Sequence, residues 1–275
     1  MRTSVPNTTL TDSSSNASGT QSIERTVALL RELATAGAEG ARLVDLAGRT
    51  QIEYPTAHRM VQCLVKQRLV AKDPMTRRYS LGPLVYELGL AARPRLEPRR
   101  VCEPMVQRLA EKTGDTVFLN IRSGFDAVCV DRREGTYPIK VHVYEVGARR
   151  PLGVGAGGLA LLMRLPWPEI QEVVKENVSR LAACAGLSPQ SVLAALRRAR
   201  EIGYVVTSNV LVSGITSVAL PFGGSDDMPA AAVTVSTVSS RMPVSRQREL
   251  AQEIALAIAD LERAVSEGAI PERAA

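Results

Sequence analysis

The sequence predicts an α+β protein of two domains: a small helical domain ending in a β-hairpin, then a larger antiparallel sheet with helices packed on it. Three observations predict this. The chain has 275 residues, too many for one small domain and enough for two cores. Within residues 22–82, three short helical periodicities precede two short apolar runs around a turn. Beyond residue 101, strand-like runs mix with amphipathic helical stretches, the order that builds a sheet covered by helices.

Composition narrows the class. Apolar residues make up 45% of the chain but only ten are aromatic, so the cores must be mostly aliphatic. Cys63, Cys102, Cys129 and Cys184 are widely spaced, with no CxxC pair and no Cys/His cluster. That pattern points to a reducing cytoplasm and away from a metal site. Residues 202–225 carry no charge, yet Gly203, Gly214, Pro221, Gly223 and Gly224 interrupt them, which fits strands of a soluble domain and not a membrane span. Charge is unevenly placed: residues 54–80 hold six basic residues and one acid, nearly the whole excess of a chain whose net charge is +6. A concentrated positive patch on a balanced body points to a polyanion partner for one module.

Residues 1–20 are rich in Ser, Thr and Asn and hold Arg2 as their only basic residue, the composition of a disordered arm and not of a signal peptide. A first helix is expected over residues 22–35, capped by Ser22, with Ile23, Val27, Leu30 and Leu33 inward. A second is expected over residues 42–49 with Leu43, Leu46 and Ala47 inward. A third starts at Pro55, a residue suited to a first helical turn, with Tyr54 as the extended cap residue.

Helix, short turn, helix is the arrangement that lays its last helix in a DNA major groove. In the third helix Ala57, Met60, Val61 and Leu64 form an inner stripe, while Thr56, Arg59, Gln62 or Cys63, and Lys66 lie outside. Thr56 and Arg59 sit side by side in the first turns, where a thymine methyl and a guanine edge come within reach. Next, "LVAKDPMTRRYSLG" reads as a hairpin turning at Asp73-Pro74, with Lys72, Arg77 and Arg78 around its tip. Such a tip suits a wing lying along phosphates. The candidate DNA contacts are Tyr54, Pro55, Thr56, Arg59, Lys66, Lys72, Arg77 and Arg78. His58 is read as a boundary residue beside Val61 and Val65 that positions the helix, since nothing near it offers a nucleophile.

At these residues the chain resembles the winged helix-turn-helix of the bacterial IclR family of transcription regulators. Pro55-Thr56-Ala57-His58-Arg59 at the helix start and Arg78-Tyr79-Ser80-Leu81-Gly82 at the wing exit carry the resemblance. Arg68 departs from it, standing where the family usually has glycine; a non-glycine in a left-handed turn costs about 1 kcal/mol.

After the wing, a helical pattern with Leu84, Val85, Leu88 and Leu90 apolar reads as an inter-domain connector, broken by Pro94 and Pro98, whose face fits pairing of two subunits. A helix is expected over residues 101–112, and strands over 116–122, 127–133 and 140–145. Helices follow near 157–165, 167–177 and 189–202, strands at 204–206, 215–221 and 230–237, and a closing helix over 245–266. The same family resemblance implies a GAF-like effector domain here. The expected divisions are a disordered arm (1–20), a winged helix-turn-helix domain (21–82), a linker helix (83–100), the GAF-like domain (101–268) and a tail (269–275).

"GVGAGG", residues 153–158, has the GxGxxG spacing of a dinucleotide turn, but the following sequence continues as helix where a second strand and a ribose-binding acid are required. The same glycines suit a loop whose backbone approaches a small ligand. The family has a ligand-contacting loop here, usually Pro-Leu-His followed by Gly-Lys. This chain keeps Pro151-Leu152 but has Gly153 for the histidine and Gly157-Gly158 for Gly-Lys. It also has Asn209 or Val210 where the family often carries an acid. On the last strands Ser217 stands between apolar neighbours, and Thr234 and Ser236 share the face opposite Val233 and Val235. The resemblance puts these hydroxyls in the effector pocket. The candidate effector contacts are therefore Gly155, Ala156, Ser217, Thr234 and Ser236.

The expected function is a cytoplasmic, DNA-binding transcription regulator, a homodimer or homotetramer on a double-stranded operator, modulated by a small organic acid. No cofactor and no catalytic residue is expected. Two other readings use the same residues. The second domain can be a purely structural oligomerisation unit. Alternatively the chain is an enzyme with His142, alternating with Lys140 and Tyr144, as a base, although no GxSxG elbow or carboxylate pair accompanies it.

Overall fold

A computed structural model describes residues 17–92, 98–224 and 230–267. The chain divides into two compact units, within residues 1–91 and 92–275.

The first unit begins with α1 (Ala17–Ala36), which runs straight through Ser22. Ser22 is therefore not a cap; its carbonyl accepts a hydrogen bond from Thr26 Oγ1. Residues 17–20 of the expected arm are helical, and the rest of the arm lies outside the described residues, as does the expected tail. Leu29 and Leu33 are the buried positions of α1, whereas Ile23 and Val27 are exposed, contrary to the inward face expected of them. Then α2 (Leu43–Thr50) buries Leu43, Leu46 and Ala47 as its periodicity predicts. The third helix, α3 (Tyr54–Lys66), starts one residue earlier than expected. Its cap residue is Glu53, whose carbonyl accepts from the Thr56 and Ala57 amides. Ala57, Val61 and Leu64 pack on Leu29, Leu33 and Leu46 to form the core of this unit.

The wing pairs β1 (Val70–Lys72) with β2 (Tyr79–Leu81) antiparallel, Val70 opposite Leu81. Ala41 bridges Tyr79 as a short third strand. Gly40 allows that approach: a Cβ there would lie 2.6 Å from the Tyr79 carbonyl. Arg68, with φ of +61°, adopts the left-handed turn that leads into the wing despite its side chain. The Arg68 guanidinium pairs with Glu87 at 2.7 Å on α4 (Pro83–Ala91), a helix with no buried residue.

In the second unit α5 (Pro98–Thr113) precedes β3 (Thr116–Ser123), β4 (Asp126–Arg133) and β5 (Arg149–Pro151). Four helices follow: α6 (Gly155–Met163), α7 (Trp167–Glu176), α8 (Val178–Ala185) and α9 (Pro189–Ile202). The chain closes with β6 (Val205–Ser208), β7 (Ile215–Phe222), β8 (Ala231–Val238) and α10 (Val244–Ser266). The strands form one antiparallel sheet in the order β5-β4-β3-β8-β7-β6. Alternation divides its faces. Val117, Leu119, Val218, Val233 and Val235 pack against α5 and α10. Ala219 and Ala232, on the opposite side, pack among the residues of α6 to α9.

The strand expected over residues 140–145 is absent from the sheet. Val141, Val143 and Tyr144 pack on Phe118, a side chain on the face of β3, and a segment crossing a sheet face finds no backbone ladder. Its Val141 amide donates instead to Thr116 Oγ1 at 3.1 Å. Among the described residues no helix is long and apolar enough to cross a membrane.

Candidate nucleic-acid interface and ligand pocket

On α3, Arg59, Gln62, Cys63 and Lys66 are exposed, Thr56 is half-buried, and Tyr54 and Pro55 are exposed at the helix start. The side of α3 away from the core is therefore a polar stripe two helical turns long. Gln62 Nε2 donates to the Tyr79 hydroxyl of β2 at 3.3 Å, tying helix to wing. At the wing tip Asp73 Oδ1 accepts from the amides of Met75 (2.7 Å) and Thr76 (3.1 Å), which closes the turn. Those amides, Thr76 first, hold the Asp73 carboxyl below its ordinary value. Lys72 and Arg77 are exposed, and Arg77 sits in the left-handed region with φ of +56°. Arg78 differs from them. It is half-buried, and its Nη1 donates to the Gly40 carbonyl at 3.0 Å, so part of its role is to hold the wing together. His58 is exposed, its ring stacked near that of Tyr54.

All five candidate effector residues line one cavity in the second unit: Gly155, Ala156, Ser217, Thr234 and Ser236. The cavity is small, about 20 Å³, enough for one water. Pairing of β7 with β8 sets Ser217 opposite Ser236, and their hydroxyls bond at 2.8 Å. Thr234 Oγ1 is buried with no hydrogen-bond partner among the described residues, and so is Asn120 Nδ2 behind it. Tyr144, another lining residue, donates its hydroxyl to Asn120 Oδ1 at 3.3 Å. Burial pushes the Tyr144 phenol well up, so at neutral pH it stays a protonated donor. Among the described residues no Lys, Arg, Asp or Glu side chain lines the cavity.

The glycines at the start of α6 serve packing. A Cβ on Gly157 would stand 2.5 Å from Asn120 Nδ2 and 3.1 Å from Thr234 Oγ1, so a side chain there would have to displace the Asn120 amide for α6 to keep its place on β3 and β8. Gly153 (φ +99°) and Gly155 (φ +67°) make the turn into α6. α6 is followed by α7, α8 and α9, so the GxGxxG spacing opens no strand-helix-strand nucleotide unit. The loop before α6 is braced from below. Asp126 takes Arg149 at 3.2 Å and Arg180 at 2.6 Å, and Asn177 Nδ2 donates to the carbonyls of Phe125 and Leu152.

Sequence reasoning missed Asn120, Tyr144 and Leu211 in and around this cavity. Asn120 had a signal, a lone amide inside the apolar run "TVFLNI". Leu211 had none. It belongs to the loop 209–214, where Asn209 (φ +59°) accepts from the Gly214 amide at 2.7 Å and whose Val210, Leu211 and Val212 line the cavity. The enzyme reading fails on geometry: His142 is exposed and pairs with Glu134 at 3.2 Å, Lys140 donates to the Gly135 carbonyl, and Tyr144 turns into the cavity. The three do not converge on one reacting centre.

Comparison with known proteins follows the same division. Residues 92–263 match the family model of the bacterial transcriptional regulator IclR C-terminal domain. Residues 22–74 match that of the IclR helix-turn-helix domain. The HTH-type transcriptional regulator KipR of Bacillus subtilis (strain 168) is 25% identical over 224 residues, which span 81% of this chain and 89% of KipR. A crystal structure of an IclR family transcriptional regulator from Brucella abortus superposes with a TM-score of 0.73 at 20% identity, covering 90% of this chain and 94% of that one. Another, of an IclR homologue from Microbacterium hydrocarbonoxydans complexed with 4-hydroxybenzoate, has a TM-score of 0.64 at 22% identity, covering 88% and 99%.

Proposed function

The chain belongs to the IclR family of bacterial transcriptional regulators, and we propose from its geometry how it reads DNA and what it senses. The observation that carries the reading is the exposed stripe of α3 flanked by a basic wing. Arg59 addresses a guanine edge and Thr56 a thymine methyl, while Tyr54, Pro55 and Lys66 flank them on the backbone. Lys72 and Arg77 lie along phosphates on one side of the groove, and Arg78 contributes there with the part of its guanidinium not bonded to Gly40. Each subunit offers one such helix, so two subunits cover two half-sites. The exposed side chains of Tyr86, Leu88 and Leu90 on α4 supply the pairing surface, giving a homodimer or a dimer of dimers. A DNA partner and four free cysteines support a cytoplasmic location.

The effector is a small organic acid held by Gly155, Ala156, Ser217, Thr234 and Ser236. Donors without cations support that class: the hydroxyls, the Tyr144 phenol and the amides at the start of α6 suit a single carboxylate. The 4-hydroxybenzoate held by the Microbacterium homologue is an acid of this kind. Ligand pockets ordinarily enclose about 300–1,000 Å³, so the closed cavity opens by withdrawing the loop 209–214. The alternative, a second domain that only oligomerises, is favoured by the closed cavity alone. Calorimetry with 4-hydroxybenzoate and a panel of aliphatic and aromatic carboxylates, followed by gel shifts with DNA from upstream of the gene, separates the two. Heat of binding to one acid and a changed shift support a sensor. Silence across the panel, with DNA binding intact, supports a scaffold.

A further inference from the structure

Between α3 and the wing lies a groove of about 530 Å³. Its walls carry Arg42 from the residue before α2, Tyr54 and His58 from α3, Lys72 from β1 and Arg77 from the turn. Among the described residues no Asp or Glu side chain lines it. His58 projects into it with its ring 13° from parallel to that of Tyr54 and their centroids 6.5 Å apart. The Lys72 ammonium is held 5.5 Å from the centre of the Tyr79 ring, which keeps it at the wall. Asp73, the one acid in the wing, directs its Oδ1 at backbone amides of its own turn. Three permanent cations and a histidine thus share one open space with no carboxylate among them. Like charges that line one groove repel, and an anion between them relieves the repulsion.

We propose that this groove is a cradle for one phosphate of the DNA backbone, and that His58 holds that phosphate as an imidazolium, so that binding DNA takes up a proton. The inference rests on the DNA-binding reading above. It adds Arg42 and His58 to the interface and gives affinity a dependence on pH. Histidine is the side chain whose charge ordinarily changes between about pH 5 and 8, and a phosphate within hydrogen-bond reach favours its charged form. The groups facing His58 are Arg42 ahead of α2, Tyr54 on α3, Lys72 and Tyr79 on the strands, and Thr76 and Arg77 in the turn. Arginine, lysine and tyrosine side chains ordinarily titrate at about pH 10 or above, outside this range. The complex therefore binds more protons than the free protein. Affinity is greatest at the acid end and falls as pH rises through the imidazole range.

A phosphate cradle does not depend on sequence, so the test needs no operator. Fluorescence anisotropy is measured with the full chain and a mixed-sequence duplex of about 30 base pairs, long enough for two half-sites one helical turn apart, at low salt between about pH 6 and 8. Wild type should bind about three- to tenfold more weakly at the alkaline end, the change that a shift of up to one unit produces. His58→Gln should give a flat profile near the weak end, and His58→Lys a flat profile near the tight end. His142→Gln, which alters the chain's other histidine, should follow wild type. A His58→Gln profile as steep as wild type, or a flat wild-type profile, overturns the cradle and leaves the DNA-binding reading standing. A wild-type chain that binds no duplex at any pH overturns both.

Discussion

Leu211 stands where a side chain on Gly155 would have to go: a Cβ built on Gly155 would lie 3.0 Å from Leu211 Cδ1. Both residues line the small cavity between the start of α6 and the loop 209–214. Gly155→Val should therefore abolish effector binding, since it crowds the mouth and forces a branched residue into a left-handed turn at φ of +67°. Leu211→Ala removes the plug and should strengthen effector binding while leaving DNA affinity without effector unchanged. Calorimetry on both variants reads this; weaker binding by Leu211→Ala would make Leu211 a ligand contact instead.

The hydroxyls on β7 and β8 are not equivalent. Thr234 Oγ1 is buried and unpartnered, so Thr234→Val relieves a desolvated polar atom and should leave stability unchanged or slightly raised. Ser236→Ala breaks the bond to Ser217 and should cost about 1 kcal/mol. Each should also weaken the effector by about 0.5–1.5 kcal/mol. Thermal melts with and without ligand separate the effects. Equal melting losses in the two variants would count against the unpaired hydroxyl.

Much of this site was legible before the fold was known. Period-two alternation places Thr234 and Ser236 on one face of β8, and the register of β7 then brings Ser217 to them. What closes the cavity was not legible. Leu211 acts through a loop shaped by the left-handed Asn209, and the segment 140–145 alternates like a strand because one flank packs on Phe118. In the first unit the apolar stripe of α3 predicts its burial correctly. Ile23 and Val27 mislead because apolar periodicity does not tell a face turned to this unit's core from one left exposed. Three-residue β5 escaped because two arginines and a proline carry no strand pattern.

The wing cations should separate in a salt titration of DNA binding. Lys72→Ala and Arg77→Gly should each lower the log–log slope by about 1 without loss of stability, glycine being at ease at the backbone angle of Arg77. Arg78→Ala should lower the slope less and also destabilise the first unit by about 1 kcal/mol, because it loses the bond to Gly40. A stable Arg78→Ala with a full unit of slope change would make Arg78 a plain phosphate contact.

The cysteines report on the interface. Cys63 is exposed on α3 between Arg59 and Lys66, whereas burial, with the charge of Asp131, pushes the thiols of Cys102 and Cys129 up to about 12. A thiol reagent at neutral pH should modify Cys63 quickly and leave Cys102 and Cys129 untouched until the chain unfolds. Saturating duplex DNA should slow the Cys63 reaction. Undiminished labelling in the complex would put this face of α3 outside the groove.

Sequence reading by Arg59 is tested most directly by selecting bound duplexes from a randomised pool with wild type and Arg59→Ala in parallel. Wild type should enrich a motif of two related half-sites, and Arg59→Ala should lose preference at one position in each, costing about 1–3 kcal/mol on the wild-type motif with little change on random DNA. An identical motif from both proteins, or none from wild type, would contradict recognition through this face of α3.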